Sequence, residues 1–132
     1  MQSGSPAFGT PEYVRTAMIG GQLARRYGIP FRSSNVCAAN ALDMQAAYES
    51  VFSLWGLTMG GGNLIMHGAG WLEGGLVASF EKFVLDVEKL QALAESMQPV
   101  VVDDATLAVD AIDDVGPGGH FFGTQVATGV GV

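Results

Sequence analysis

Leu64, Ile65 and Met66 form a continuous apolar run straight after a triple glycine, Gly60 to Gly62. A strand that is apolar on both faces must be covered on both, as in parallel sheets whose strands are joined by helices. The flanking segments supply such helices. Thr10 as N-cap, Pro11 at the first helical position and Glu12 beside the dipole open a predicted helix. Arg25 and Arg26 close it before Gly28. Its inner face, Val14, Ala17, Met18 and Gly21, is small enough to lie close to a sheet. Ile29 to Arg32 reads as a strand, followed by a polar loop with Ser33, Ser34 and Asn35. A second helix, from Asn40 or Leu42, carries Met44, Ala47, Tyr48, Val51, Leu54, Trp55 and Thr58 on one stripe.

The apolar strand comes next, and a third helix is predicted from near Leu76. It places Phe80, Phe83, Val84, Val87, Leu90 and Ala94 inward and a Lys82–Asp86 pair outward. After Pro99, Val100 to Val102 reads as a weak strand. Asp103 or Asp104 then caps a fourth helix with Leu107, Ala111, Ile112 and Val115 inward, ended by Gly116 and Pro117. Strands alternating with helices imply an α/β fold with parallel strands and helical crossovers, here half of an α/β barrel with extra C-terminal helices. At 132 residues the chain has the length of one domain.

That order separates two glycine clusters. Met59 to Gly62 lies between a helix and the next strand, where glycines end the helix. The stretch HGAGWLEGG, His67 to Gly75, follows a strand and precedes a helix, on the side where barrel active sites are built. His67 there reads either as a rim histidine or as a proton carrier or substrate donor. Glu73 is predicted near the start of the third helix, as a dipole-compensating carboxylate or a site acid. Trp71 either packs on the rim or turns its face to a cation. Asp43 is a helix-start carboxylate or a substrate contact, and Arg32 a rim ion-pair partner or a carboxylate clamp.

The net charge of −7 and the absence of a basic stripe argue against nucleic acid. A lone cysteine, Cys37, excludes an internal disulfide and suits a reducing compartment. Without a signal-like start or an apolar span, a cytoplasmic protein away from membranes is expected. His67, His120 and Cys37 fit no zinc spacing, so no metal is expected. No nucleophile elbow, phosphate loop or dinucleotide fingerprint occurs.

Five stretches together carry a family likeness: GSPAFGTPE (4–12), LDMQAAYES (42–50), GGGNLIMHGAGWLEGGL (60–76), SFEKFVLDVE (79–88) and DDVGPGGHFFGTQ (113–125). In this order they resemble the C-terminal part of the trimethylamine:corrinoid methyltransferase family. The resemblance makes that half-barrel a partial (β/α)8 (TIM) barrel, and implies an enzyme that moves a methyl group from a methylated amine to the cobalamin of a partner corrinoid protein. Members act on trimethylamine with pyrrolysine, or on quaternary amines such as glycine betaine without it; no pyrrolysine stands in this sequence. Members are also several times longer, and they continue past GGHFFGTQ with a histidine-containing helical tail where this chain ends VATGVGV. The expectation is therefore a fragment, one partial domain, whose open edges favour association with copies of itself.

On that reading His67 and Glu73 are the catalytic candidates, and Arg32, Ser33, Asp43, Trp71 and His120 the substrate contacts. Gly68 and Gly70 would keep the mouth open for the flat corrinoid, which the partner carries and this chain does not hold tightly. The competing expectations are a barrel lyase or decarboxylase using His67 and Glu73 as acid and base, or an inactive partial barrel that binds or oligomerises.

Overall fold

The computed structural model describes residues 4–124; the Gln125–Val132 tail and the first three residues lie outside the described part. The chain divides into two compact units, residues 1–96 and 97–132.

The first unit opens with α1 (Pro11–Tyr27). Thr10 caps it by accepting from the Tyr13 N–H, and Gly28 ends it in the left-handed conformation at φ 68. β1 (Arg32–Ser34) follows, then α2 (Met44–Met59), β2 (Leu64–Met66), a short β3 (Trp71–Leu72) and a 3-10 turn at Glu73–Gly75. β4 (Val77–Ala78) and α3 (Phe80–Ser96) complete the unit. β1 and β2 pair in parallel, with Arg32 opposite Leu64 and Ser34 opposite Met66, and α2 is the crossover between them. β3 and β4 form a separate antiparallel pair. This is a mixed α/β arrangement of helices with two small sheets.

Several elements differ from expectation. The first strand starts three residues later, so Ser33 and Ser34 belong to the strand and the loop begins at Asn35. A hairpin replaces the loop before the third helix, which starts at Phe80 rather than near Leu76. The small face of α1 lies on α2, not on a sheet. A Cβ on Gly56 would come 2.9 Å from the Val14 Cα, and one on Gly21 would strike the Gly60 carbonyl oxygen. The triple glycine ends α2: Gly62 N–H donates to the Leu57 carbonyl at 2.9 Å, and Gly61 takes φ 72.

The two helix faces are the larger corrections. On α2 the buried side is small and polar, Ala46, Glu49, Ser50, Ser53, Leu54, Gly56 and Leu57. Of the predicted stripe, Met44, Tyr48, Val51 and Trp55 are exposed. On α3 the Lys82–Asp86 pair, predicted outside, is fully buried, whereas Phe80 and Val84 are 92% and 69% exposed. Cys37, Ala39, Ala46 and Leu72 form an apolar nucleus beside this polar interior.

In the second unit, Val100 to Val102 form no strand. Asp103 caps α4 (Asp104–Leu107) in a reciprocal capping box with Thr106. Ala108 then turns left-handed at φ 50 and splits the predicted fourth helix, so that α5 (Val109–Val115) follows as a separate piece ended by Gly116. Leu107 and Ile112, predicted inward, are exposed.

Candidate functional site

β1 and β2 run in parallel, so both deliver their carboxyl ends to one side. Ser34 is followed there by Asn35, and Met66 by His67. A cleft of about 480 Å3 opens between these strands and α1. Arg32, Ser33 and Ser34 of β1 line it, with His67 at the end of β2 and Phe8 and Tyr13 across from them. The Tyr13 Oη and Ser33 Oγ are 2.8 Å apart. The rings of Phe8 and Tyr13 stand 5.3 Å apart and tilted, giving the cleft an aromatic wall.

His67 is exposed and takes φ 50, left-handed for a non-glycine residue. Its Nδ1 is 3.5 Å from Ser34 Oγ, a long contact, and its ring meets the Trp71 ring edge-on at 5.5 Å. Trp71 itself lines a neighbouring apolar depression of about 320 Å3 with Gly70, Phe80 and Phe83. Three predicted site residues, Arg32, Ser33 and His67, thus share one cleft, and Trp71 touches it through His67.

The others stand elsewhere. Glu73 is not at a helix start: it sits in the 3-10 turn at φ 50, exposed, its N–H donating to the Ala39 carbonyl at 2.9 Å, and it does not line the cleft. Asp43 caps α2, its carboxylate accepting from the Ala46 N–H at 3.1 Å. Gly70 is explained by its own surroundings, since φ is 87 and a Cβ would lie 3.3 Å from the Phe83 Cβ. At Gly68 the nearest atoms to a Cβ are 3.9 Å away, so internal packing does not require glycine there. His120 belongs to the second unit, where it is exposed and its ring lies 5.6 Å from Phe122.

Beside the segment after β2 lies a buried polar network, of which the sequence suggested only a solvent-facing Lys82–Asp86 pair. Both Asp86 carboxylate oxygens lie 2.6 Å from Lys82 Nζ, and Lys89 Nζ lies 2.6 Å from Oδ1. Oδ2 also accepts from the Gly70 N–H at 2.9 Å. Burial works against the Asp86 carboxylate, but the hydrogen bonds from Lys82, Lys89 and Gly70 outweigh it and hold its pKa below the usual carboxylate value. Burial is also the largest influence on Lys89 and pushes its pKa down, with Asp86 opposing. The Cys37 thiol is pushed up by burial, which makes it a packing residue rather than a nucleophile. The one sequence signal for this network is the spacing: Lys82, Asp86 and Lys89 fall at i, i+4 and i+7 on one stripe of α3.

Residues 1–128 match the trimethylamine methyltransferase (MTTB) family. The chain belongs to that family. It is 39% identical over 122 residues to the glycine betaine methyltransferase of Desulfitobacterium hafniense (strain Y51), covering 92% of this chain and 26% of that protein. Over the same length it is 31% identical to the trimethylamine methyltransferase MttB of Methanosarcina thermophila, covering 25% of it, and 32% to that of Methanosarcina barkeri, covering 24%. This trimethylamine methyltransferase family chain therefore spans about a quarter of the length of those relatives. None of its described helices is long and apolar enough to cross a membrane.

Proposed function

We propose that this chain is one part of a longer (β/α)8-barrel methyltransferase that takes a methyl group from a tertiary or quaternary methylamine and passes it to a corrinoid presented by a partner protein. The observation that supports this reading best is the shared cleft, lined by Arg32 and Ser33 of β1, by His67 just after β2, and by the rings of Phe8 and Tyr13.

The cleft suits such a donor. Aromatic faces attract a methylated ammonium without demanding hydrogen bonds that it cannot make. The Arg32 guanidinium is suited to a carboxylate in two-point contact, which favours a betaine over a simple amine. A quaternary ammonium, or a tertiary amine bound in its protonated ammonium form, leaves as a neutral amine, because the electron pair of the broken C–N bond stays on nitrogen. The chain's residues therefore have no proton to supply; they orient the methyl group and exclude water. His67, between Ser34 and Trp71, would fix the donor's position at the strand end. The reduced corrinoid, as co-substrate, supplies the nucleophile. Gly68 suits its close approach, since packing leaves that glycine unexplained. Glu73 does not line the cleft beside His67, which favours methyl transfer over a lyase that would use those two residues as acid and base.

The reaction is tested by mixing the full-length protein with cob(I)alamin and either glycine betaine or trimethylamine, and following the visible spectrum. Conversion to methylcob(III)alamin dependent on the amine is expected. An unchanged cob(I)alamin spectrum with both donors would refute the assignment.

A further inference from the structure

We propose that Asn35 is the positioning residue of this site, holding His67 by the carbonyl groups of the residues before and after it; calling His67 the group to be positioned rests on the function proposed above. The Asn35 backbone N–H donates to the Met66 carbonyl at 3.3 Å, and its side-chain Nδ2 donates to the Gly68 carbonyl at 2.7 Å. One residue thereby brackets His67 from both directions.

The bracket is needed because His67 does not hold itself. Its backbone is left-handed at φ 50, a conformation that persists in a non-glycine residue only where the surroundings impose it. The β1–β2 pairing ends at Met66. Among the described residues the imidazole meets Ser34 at a long 3.5 Å and the edge of Trp71, and it is exposed.

Asn35 is in turn held rigidly. It is 1% exposed, and its Oδ1 accepts from the hydroxyl of the fully buried Ser50. Ser50 Oγ lies 3.3 Å from Asp86 Oδ1, and Asp86 is fixed by two lysines while gripping the Gly70 N–H. Gly70 is secured on its other side too, its carbonyl accepting from the Ser79 N–H at 2.9 Å. The segment after β2 is thus fastened twice, at Gly68 by the Asn35 amide and at Gly70 directly by Asp86, and His67 must project from where that segment begins.

Hydrogen–deuterium exchange with mass spectrometry on the 132-residue chain tests this. In Asn35→Ala, amides within residues 66–72 should exchange about fivefold faster, the effect of losing the one side-chain hydrogen bond that reaches this segment. Peptides from α1 should keep their rates. Exchange at the His67 imidazole C2–H should change, while His120 in the other unit serves as an unchanged internal reference. Wild-type rates across 66–72, or equal acceleration of every peptide, would overturn the proposal. If Asn35→Ala does not fold, Ser50→Ala decides. It keeps both bracket bonds but frees the amide, so a smaller acceleration confined to the same segment is expected, and none would overturn the inference. These readouts do not involve methyl transfer, so failure of the functional reading would leave them intact.

Discussion

His67 adopts a backbone conformation, φ 50, that disfavours any residue with a Cβ. Its stability effect can be isolated by comparing two variants that both lack the imidazole. His67→Gly should be more stable than His67→Ala by about 1 kcal/mol in urea unfolding, because only glycine takes that φ freely. Equal midpoints would mean that the turn relaxes at no cost. Lys89 is a second residue under strain. Lys82 already pairs with Asp86, and the second ammonium is buried beside them. Its lowered pKa means that the unfolded chain keeps this proton up to about its ordinary 10.5 while the folded chain releases it earlier. The penalty is thus full below the folded value and fades as pH rises towards 10.5. Lys89→Met should raise the unfolding midpoint at neutral pH and remove the alkaline gain. A fall would show that Asp86 needs both lysines.

At the scale of elements, α1 and α2 approach so closely that glycine is required between them. Gly56→Ala gains helix propensity, yet its Cβ would sit 2.9 Å from the Val14 Cα. A net loss of about 1–3 kcal/mol is expected from thermal unfolding, because overpacking outweighs propensity. α3 is fastened to the loop after β2 through Asp86, whose carboxylate has a depressed pKa in the fold. Its contribution is present above the model-compound value of 3.8 and is lost as pH falls through the lower native value. Acid unfolding in that window should disappear in a Lys82→Met/Asp86→Leu/Lys89→Met variant that still folds. The caps at Thr10 and Asp103 were legible in the sequence because each is a local exchange between one side chain and the next turn. α2, expected from Asn40 or Leu42, starts only at Met44 with Asp43 as its cap. The inward faces of α2 and α3 were not legible. Hydropathy sends Lys82, Asp86 and Ser50 to solvent, and only the Lys82–Asp86 ion pair within α3 and the hydrogen bond of Ser50 to Asn35 reverse that. Of the cleft residues, His67 could be read from its position at the end of a parallel strand, whereas Arg32 and Ser33, expected at a strand end and in the loop after it, stand within β1 itself. Glu73 could not, because an unforeseen hairpin lies between it and α3.

For the molecule as a whole, the exposed apolar faces dominate. Tyr48, Phe52 and Trp55 on α2 and Phe80, Phe83 and Val84 on α3 are 44% exposed or more. Large apolar patches of this kind favour association, and the isolated 132-residue chain should sediment as more than its 13.7 kDa monomer at micromolar concentrations. A clean monomer would contradict that. Spanning about a quarter of its relatives, the chain alone is also expected to show no methyl transfer. The central claim, that the cleft of Arg32, Ser33 and His67 holds a methylated ammonium, is tested most directly by calorimetry on the full-length protein. Glycine betaine should bind more tightly than its neutral-headed isostere 3,3-dimethylbutyrate by about 2 kcal/mol, the worth of a desolvated cation–π contact. Arg32→Ala should weaken both ligands alike, since both carry the carboxylate. Equal affinity for the two ligands, unaltered in Arg32→Ala, would contradict the account.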